Sequence, residues 1–138
     1  SAYREDAESR AGALGLMQLM PATARDVAQE MAGPIPERNE LLVSNRNVKI
    51  GARYLASLLK RHDGNLVYAI ASYNAGTIRV DQWKNRWAKL PLDTFIELIP
   101  FEETRNYVKS IIRNYAYYAR ILENRKLDLK TLTPAPGT

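Results

Sequence analysis

The sequence predicts an all-α domain, and three observations carry that prediction. Apolar residues recur at steps of three and four over long stretches. No segment alternates apolar and polar in the manner of a strand. Glycines and prolines fall where helices would start and stop. Hydrophobic residues make up 46% and charged residues 25% of the 138 residues, which argues for a folded, globular chain. That length suits a single domain, since these run roughly 100–150 residues.

The first expected helix runs from Pro21 to Met31, with Pro21 at the first helical position, where its missing N–H costs nothing. Gly33-Pro34-Ile35-Pro36 then reads as a loop. A second helix is expected from Asn45 to Arg61, capped by Asn45. Its apolar stripe is Val48, Gly51, Tyr54, Leu55, Leu58 and Leu59, and Asp63-Gly64-Asn65 supplies the turn that ends it. His62, before that turn, is expected at the surface. The third helix, Leu66 to Ala75, is apolar nearly all round and so should be central and buried.

Further helices are expected from Ile78 to Trp87 and from Leu92 to Leu98. Trp83 and Trp87, four apart, read as a packed pair. The clearest pattern lies between Glu102 and Glu123, where Tyr107, Val108, Ile111, Ile112, Tyr115, Tyr118, Ala119 and Leu122 form one stripe. Its tyrosines read mainly as core, and Arg105, Lys109, Arg113 and Arg120 as a solvated face. Glu102 and Glu103 suit the positive end of the helix dipole. The expected division is a folded domain over residues 1–126 and a loosely ordered tail over 127–138, which ends in the linker-like run Thr131 to Thr138.

Composition narrows the chemistry. There is no cysteine, which removes disulfides, thiolate zinc sites and cysteine nucleophiles together. The one histidine argues against a Ser-His-Asp triad and against a multi-histidine metal site. The longest apolar run is too short to span a membrane. Twenty Lys and Arg against fifteen Asp and Glu leave +5, which favours anionic partners such as nucleic acid, anionic membrane or an acidic cell-wall polymer. The start at Ser1-Ala2-Tyr3, without an initiator Met, suggests a processed or excised piece.

Three segments carry residues that packing alone does not require. In the stretch from Gly12 to Ala24, Gln18 interrupts an apolar run from Leu14 to Met20. A buried amide there must find partners, and an exposed one is free for a ligand. In Ala71-Ser72-Tyr73-Asn74-Ala75-Gly76, Tyr73 and Asn74 either sit in an ordinary helix stop ahead of Gly76 or present a hydroxyl and an amide to a cleft. In the run from Phe95 to Phe101, Glu97 is the only charge. It is either wet or desolvated, and desolvation would raise its pKa toward values useful in glycosyl chemistry. Glu5, Asp6 and Glu8 read as a solvated acidic cluster.

Four of these stretches together resemble the catalytic domain of the soluble lytic transglycosylases: GALGLMQLMPATA at 12–24, NVKIGARYL at 47–55, ASYNAG at 71–76 and ELIPFEETRNYV at 97–108. The resemblance covers the chain to about residue 122 and implies a goose-type lysozyme-like helical fold. It also implies non-hydrolytic cleavage of the MurNAc-GlcNAc β-1,4 bond of peptidoglycan to give 1,6-anhydroMurNAc ends, with no cofactor and no metal. The partners implied are peptidoglycan glycan strands, rather than nucleic acid, and an N-terminal helical region in a longer chain. The location implied is the periplasm or cell envelope of a Gram-negative bacterium.

The family's acid/base glutamate belongs to a Glu-Ser-x-aromatic motif. Ser1-Ala2-Tyr3 matches its last three positions, so that glutamate is expected immediately before Ser1. Glu5 and Glu8 are out of register. The 138 residues alone are therefore expected to lack turnover. By the same resemblance Ser9 lies in the loop behind the catalytic carboxyl, and Gln18 and Met20 contact sugar. Tyr73 supports the acid and the substrate N-acetyl group, with Asn74 beside it. Glu97 is a second acidic cleft residue that orients sugar. Tyr107 falls in the last motif, as core or cleft. Two alternatives are a cell-wall-binding pseudoenzyme, if the preceding residue is not Glu, and a basic helical nucleic-acid-binding module. No helix-turn-helix or zinc signature supports the latter.

Overall fold

A computed structural model describes residues 4, 6–124 and 126. The expectations placed on Ser1-Ala2-Tyr3, on Glu5 and on the tail from residue 127 lie outside the described residues. The helices are α1 (Pro21–Glu30), α2 (Ser44–Arg61), α3 (Leu66–Ala75), α4 (Thr77–Trp87), α5 (Leu92–Leu98) and α6 (Glu102–Leu122), with a 3-10 turn at Glu40–Leu42. Among the described residues, extended pairing is limited to isolated bridges of Leu14 with Glu8 and with Leu19. The all-α expectation therefore holds. The chain divides into two compact units, Ser1–Ala56 and Ser57–Thr138, and the division falls inside α2.

In the first unit, the stretch before α1 is a tight loop. The Leu14 N–H donates to the Leu19 carbonyl at 2.9 Å and the Leu19 N–H returns a bond to Leu14 at 3.0 Å. Both leucines are buried. Pro21 opens α1 as its composition requires, and Ala24, Val27 and Ala28 form the inward face. The organising residue is Asn47, on the first turns of α2 and 0% exposed. Its Oδ1 accepts from the Met17 N–H at 2.6 Å. Its Nδ2 donates to the Leu14 and Leu41 carbonyls, each at 2.8 Å. One side chain thus ties the loop, the 3-10 turn and α2 together.

Two glycines make that junction possible. Gly15 has φ +72°, and a Cβ there would overlap Asn47 Nδ2 and the Leu41 carbonyl. Gly51 lets α2 approach Met17, whose Cβ would lie 2.7 Å from an added methyl. The buried face of α2 accordingly runs through Asn47, Ile50, Gly51 and Leu58, with Tyr54 half-buried, while Val48 points outward. The helix begins at Ser44, so Asn45 is an exposed residue inside it rather than its cap.

In the second unit, the turn after α2 uses Asp63 and Gly64 in left-handed backbone, as the Asp-Gly-Asn sequence predicts. Asn65 caps α3 by accepting from the Tyr68 N–H at 3.2 Å. Gly76, at φ +89°, ends α3, and its N–H returns to the Ser72 carbonyl at 2.9 Å. α3 packs against α4 and α6, and α5 packs against α6. The shared core is Val67, Ile70, Ala71, Val80, Trp83, Phe95, Ile96, Ile99 and Val108. Burying one such large side chain stabilises by about 1.5–3 kcal/mol, so this cluster is what holds α3 in place.

Several expectations are corrected here. His62 is not a surface residue; it is 2% exposed and bonded to Ser72. Trp83 and Trp87 are both packed on the core as expected, and each also sets an edge against a phenylalanine, Phe101 and Phe95 respectively. Past Ile112 the α6 stripe is buried only at Ala119; Tyr115, Tyr118 and Leu122 continue on the same face but are exposed, as is Tyr117. The basic face is only partly solvated: Arg105 donates to the Ile99 carbonyl at 3.0 Å and Lys109 pairs with Glu97.

Candidate functional site

In the first unit, the loop places Gln18 at its tip. Gln18 has φ +48°, a conformation that costs a non-glycine residue, and its side chain is exposed. The side-chain NH2 donates to the Gly15 carbonyl at 2.8 Å and to the Ala7 carbonyl at 3.3 Å. With both donors used by the loop, the chemistry Gln18 can offer a ligand is that of its carbonyl oxygen, an acceptor. Met20 follows at the position just before α1, where its side chain makes no capping bond, and 42% of it is exposed.

Ser9 is half-buried, and its Oγ accepts from the Ala13 N–H at 2.9 Å. The Ser9 N–H meets the Ala13 carbonyl at 2.9 Å. Ser9 therefore shapes the turn that delivers Leu14 to its partners. Glu8 pairs with Arg38, and Asp6 with Arg4 at 2.9 Å. Asp6 and Glu8 are thus held in exposed ion pairs. A cavity of about 190 Å³ in this unit is lined by Ala28, Met31, Gly33, Pro34, Arg46, Lys49 and Ile50, and holds none of the candidate residues.

In the second unit, Tyr73 and Asn74 occupy the last turn of α3 and are both half-buried. Asn74 Oδ1 accepts from Thr104 Oγ1 at 2.7 Å. Thr104 is 2% exposed, on the first turn of α6. The ASYNAG and ETRNYV stretches are therefore joined by a hydrogen bond between their own side chains. Tyr107 packs on the core and is half-buried, and burial raises its phenol above the usual tyrosine value. It stays a neutral hydroxyl at neutral pH.

Glu97 lies at the end of α5, and its Oε1 is 2.6 Å from Lys109 Nζ. Its side chain is 64% exposed. Of the two readings left open by the sequence, the wet one is correct. An exposed carboxylate paired with a cation is suited to holding a polar ligand. Among the described residues no group of His, Asp and Glu is clustered to hold a metal ion.

The sequence reading leaves out Asn47 and Thr104 and places His62 at the surface. All three sit on the backward or forward extension of an apolar stripe: 47 ahead of 50, 51, 54 and 58, 62 after 58, and 104 ahead of 107, 108 and 111. A polar residue on such a face was the available signal, since buried polar groups must be bonded.

Comparison with known proteins agrees with this organisation. The family model for the transglycosylase SLT domain matches residues 1–96, and that for the soluble lytic transglycosylase helical domain matches residues 98–127. The soluble lytic murein transglycosylase of Salmonella typhimurium is 36% identical over 130 residues, covering 91% of this chain and 20% of that protein. The structure of an inactive Glu-to-Gln mutant of the lytic transglycosylase Slt from Pseudomonas aeruginosa superposes with a TM-score of 0.83 at 40% identity, covering 94% of this chain and 21% of that one. The 70 kDa soluble lytic transglycosylase from Escherichia coli superposes with a TM-score of 0.85 at 36% identity, covering 98% and 22%. The chain thus has the all-α, lysozyme-like fold of these proteins and spans about one fifth of their length.

Proposed function

The chain belongs to the transglycosylase SLT domain family, and from that premise we propose that it supplies the sugar-cleaving domain of a peptidoglycan lytic transglycosylase. The observation that carries the reading is the pairing of the four motif stretches by their own residues. Asn47 and Gly51 lock the first two together, and Asn74 with Thr104 locks the last two. Gln18, Met20, Tyr73, Asn74 and Glu97 are the substrate-binding residues in this reading, with Ser9 and Tyr73 supporting the acid/base group. That group is a glutamate in the position before Ser1. The Glu-to-Gln change in the inactive Pseudomonas aeruginosa Slt supports reliance on one carboxyl.

The chemistry needs one carboxylic acid. It protonates the glycosidic oxygen between N-acetylmuramic acid and N-acetylglucosamine, and the substrate's N-acetyl carbonyl stabilises the oxocarbenium-like carbon. The carboxylate then takes the proton of the muramyl C6 hydroxyl, whose oxygen attacks C1 and closes the 1,6-anhydro ring. No water is consumed. A single general acid–base group contributes about 10²–10⁴-fold in rate. Tyr73 supplies a hydroxyl and Gln18 an amide oxygen to fix the sugar. Glu97, held by Lys109, offers hydrogen-bond acceptors to the sugar.

The Gram-negative sources of the relatives support a periplasmic setting, and among the described residues no helix is long and apolar enough to cross a membrane. The nucleic-acid alternative is weakened by α6, where Arg105 and Lys109 are engaged by the protein itself. The decisive experiment digests peptidoglycan with the chain preceded by its natural upstream residues, and with that chain carrying Gln in the position before Ser1. Anhydromuropeptides seen by mass spectrometry from the first and lost in the second are the expected result. Reducing-end muramic acid products would indicate a hydrolase and overturn the reading. A residue other than Glu at that position, with sugar binding retained, would make the domain a cell-wall-binding pseudoenzyme.

A further inference from the structure

One buried polar group is left unused by this chemistry. His62, in the turn after α2, has its Nε2 2.7 Å from Ser72 Oγ and its Nδ1 3.2 Å from Lys84 Nζ. An ammonium group can only donate, so Nδ1 must accept, and the ring proton sits on Nε2 and goes to Ser72. Ser72 is 0% exposed, which removes it as a nucleophile for any substrate. Instead it directly precedes Tyr73 and Asn74, and its backbone carbonyl accepts from the Gly76 N–H on their other side. A shift at Ser72 is therefore transmitted to both ends of the Tyr73–Asn74 turn.

The surroundings make the ring sensitive to charge. Lys84 also lies 5.1 Å from the centre of the Tyr68 ring, and Tyr68 sets its edge against His62. Arg61 pairs with Asp81 at 2.6 Å, and Asp63 stands in the same turn. Burial, then Lys84, hold His62 below the ordinary histidine value; Asp81 and Asp63 oppose this, and Arg61 adds to it. A protonated ring would turn an N–H toward the Lys84 ammonium, donor against donor and cation against cation.

We propose that His62 is a positioning residue that, through Ser72, holds the Tyr73–Asn74 end of α3 in its substrate-binding arrangement and releases it when the ring is protonated. The proposal rests on the reading of Tyr73 and Asn74 as substrate contacts. It makes sugar binding fall on acidification without any change in the catalytic carboxyl.

His62 is the one histidine of the chain, so ring ¹⁵N signals report its tautomer and titration directly. The expected result is an Nε2–H tautomer at neutral pH, with the backbone amide signals of Tyr73, Asn74 and Gly76 shifting in step with the ring. His62→Gln keeps a donor for Ser72 and an acceptor for Lys84 but does not titrate, and should abolish that pH dependence. Ser72→Ala removes the acceptor and leaves the ring, so the ring should titrate while the amides no longer follow; it serves equally if His62→Gln fails to fold. Affinity for an N-acetylglucosamine oligomer should drop about fivefold across the ring's titration, the effect of one net hydrogen bond, and stay level in His62→Gln. An Nδ1–H tautomer, amides indifferent to the ring, or an unchanged profile in His62→Gln would overturn the proposal. Coupled amides with no oligomer binding at any pH would support the clamp and overturn the substrate reading of Tyr73 and Asn74.

Discussion

Replacing Asn47 tests the idea that the Gly15–Gln18 loop is held by one side chain. Asn47→Ala removes the acceptor of the Met17 N–H and the donors to the Leu14 and Leu41 carbonyls. The losses are unequal. The Leu14 carbonyl keeps its bond from the Leu19 N–H, whereas the Met17 N–H loses the partner seen here. The Met17 N–H is part-buried, and each of the three lost bonds costs about 0.5–1.5 kcal/mol. The sum is about 3 kcal/mol, or a fall of roughly 10 °C in Tm for a domain of this size. Urea unfolding followed by circular dichroism measures it, with Cm expected to fall at unchanged slope. Asn47→Asp sharpens the test. It keeps the acceptor for Met17 but turns an oxygen toward two carbonyls, so it should destabilise at least as much at neutral pH. It should recover partly in acid, where a protonated carboxyl can donate again. A loss below about 1 kcal/mol in Asn47→Ala, or no difference in pH dependence between the two variants, would refute the reasoning.

Gly51→Ala should displace Met17, because the new methyl would lie 2.7 Å from Met17 Cβ rather than from a mobile tip; overpacking of this kind costs about 1–3 kcal/mol, measurable by thermal melting. Thr104→Val preserves shape but takes the donor from Asn74 Oδ1; a loss of about 1–2 kcal/mol is expected, with sugar affinity falling too, and an unchanged Cm would count against the link. His62 binds a proton less readily folded than unfolded. Its stabilising contribution is therefore complete above the ordinary histidine value, about 6.5, and is lost as pH falls through the folded value. Stability measured against pH should lose that slope in His62→Gln.

Much of the architecture was legible because it rests on local pattern. Pro21, the Asp-Gly-Asn turn and Gly76 mark their helix ends in the sequence, and the structure uses each for the reason its backbone chemistry gives. The errors share one physical cause. A stripe read from apolar residues alone stops at the first polar one, so it leaves out Asn47 and Thr104 and puts His62 at the surface, although each lies on the buried face and finds its bonds across the chain. The opposite error occurs on α6, where Tyr115, Tyr118 and Leu122 continue an apolar stripe yet are exposed, with only Ala119 buried among them. Periodicity shows which residues share a face; it does not show where the covering layer ends. Glu97 illustrates the same limit for charge, since only the position of Lys109 decided between a wet and a desolvated carboxylate.

The motif residues divide into joints and presented groups, and this division explains the spacing of the motifs. Asn47, Gly15 and Gly51 are joints, and so are Asn74 and Thr104: each is buried or half-buried and bonded or fitted to another motif stretch. Gln18, Met20 and Glu97 are presented groups, exposed and carried on those joints. Tyr73 stands between the two kinds, half-buried and set between Ser72, which His62 holds, and Asn74, which Thr104 holds. Substitution of Met20 or Glu97 should therefore lower sugar affinity with little change in unfolding, while substitution of a joint, or of Gln18 with its two bonds to the loop, should lower both. A pair such as Asn74 and Thr104 should also be non-additive, because the second change removes a bond already lost. Additive effects would mean that the two stretches owe their register to the surrounding core rather than to each other.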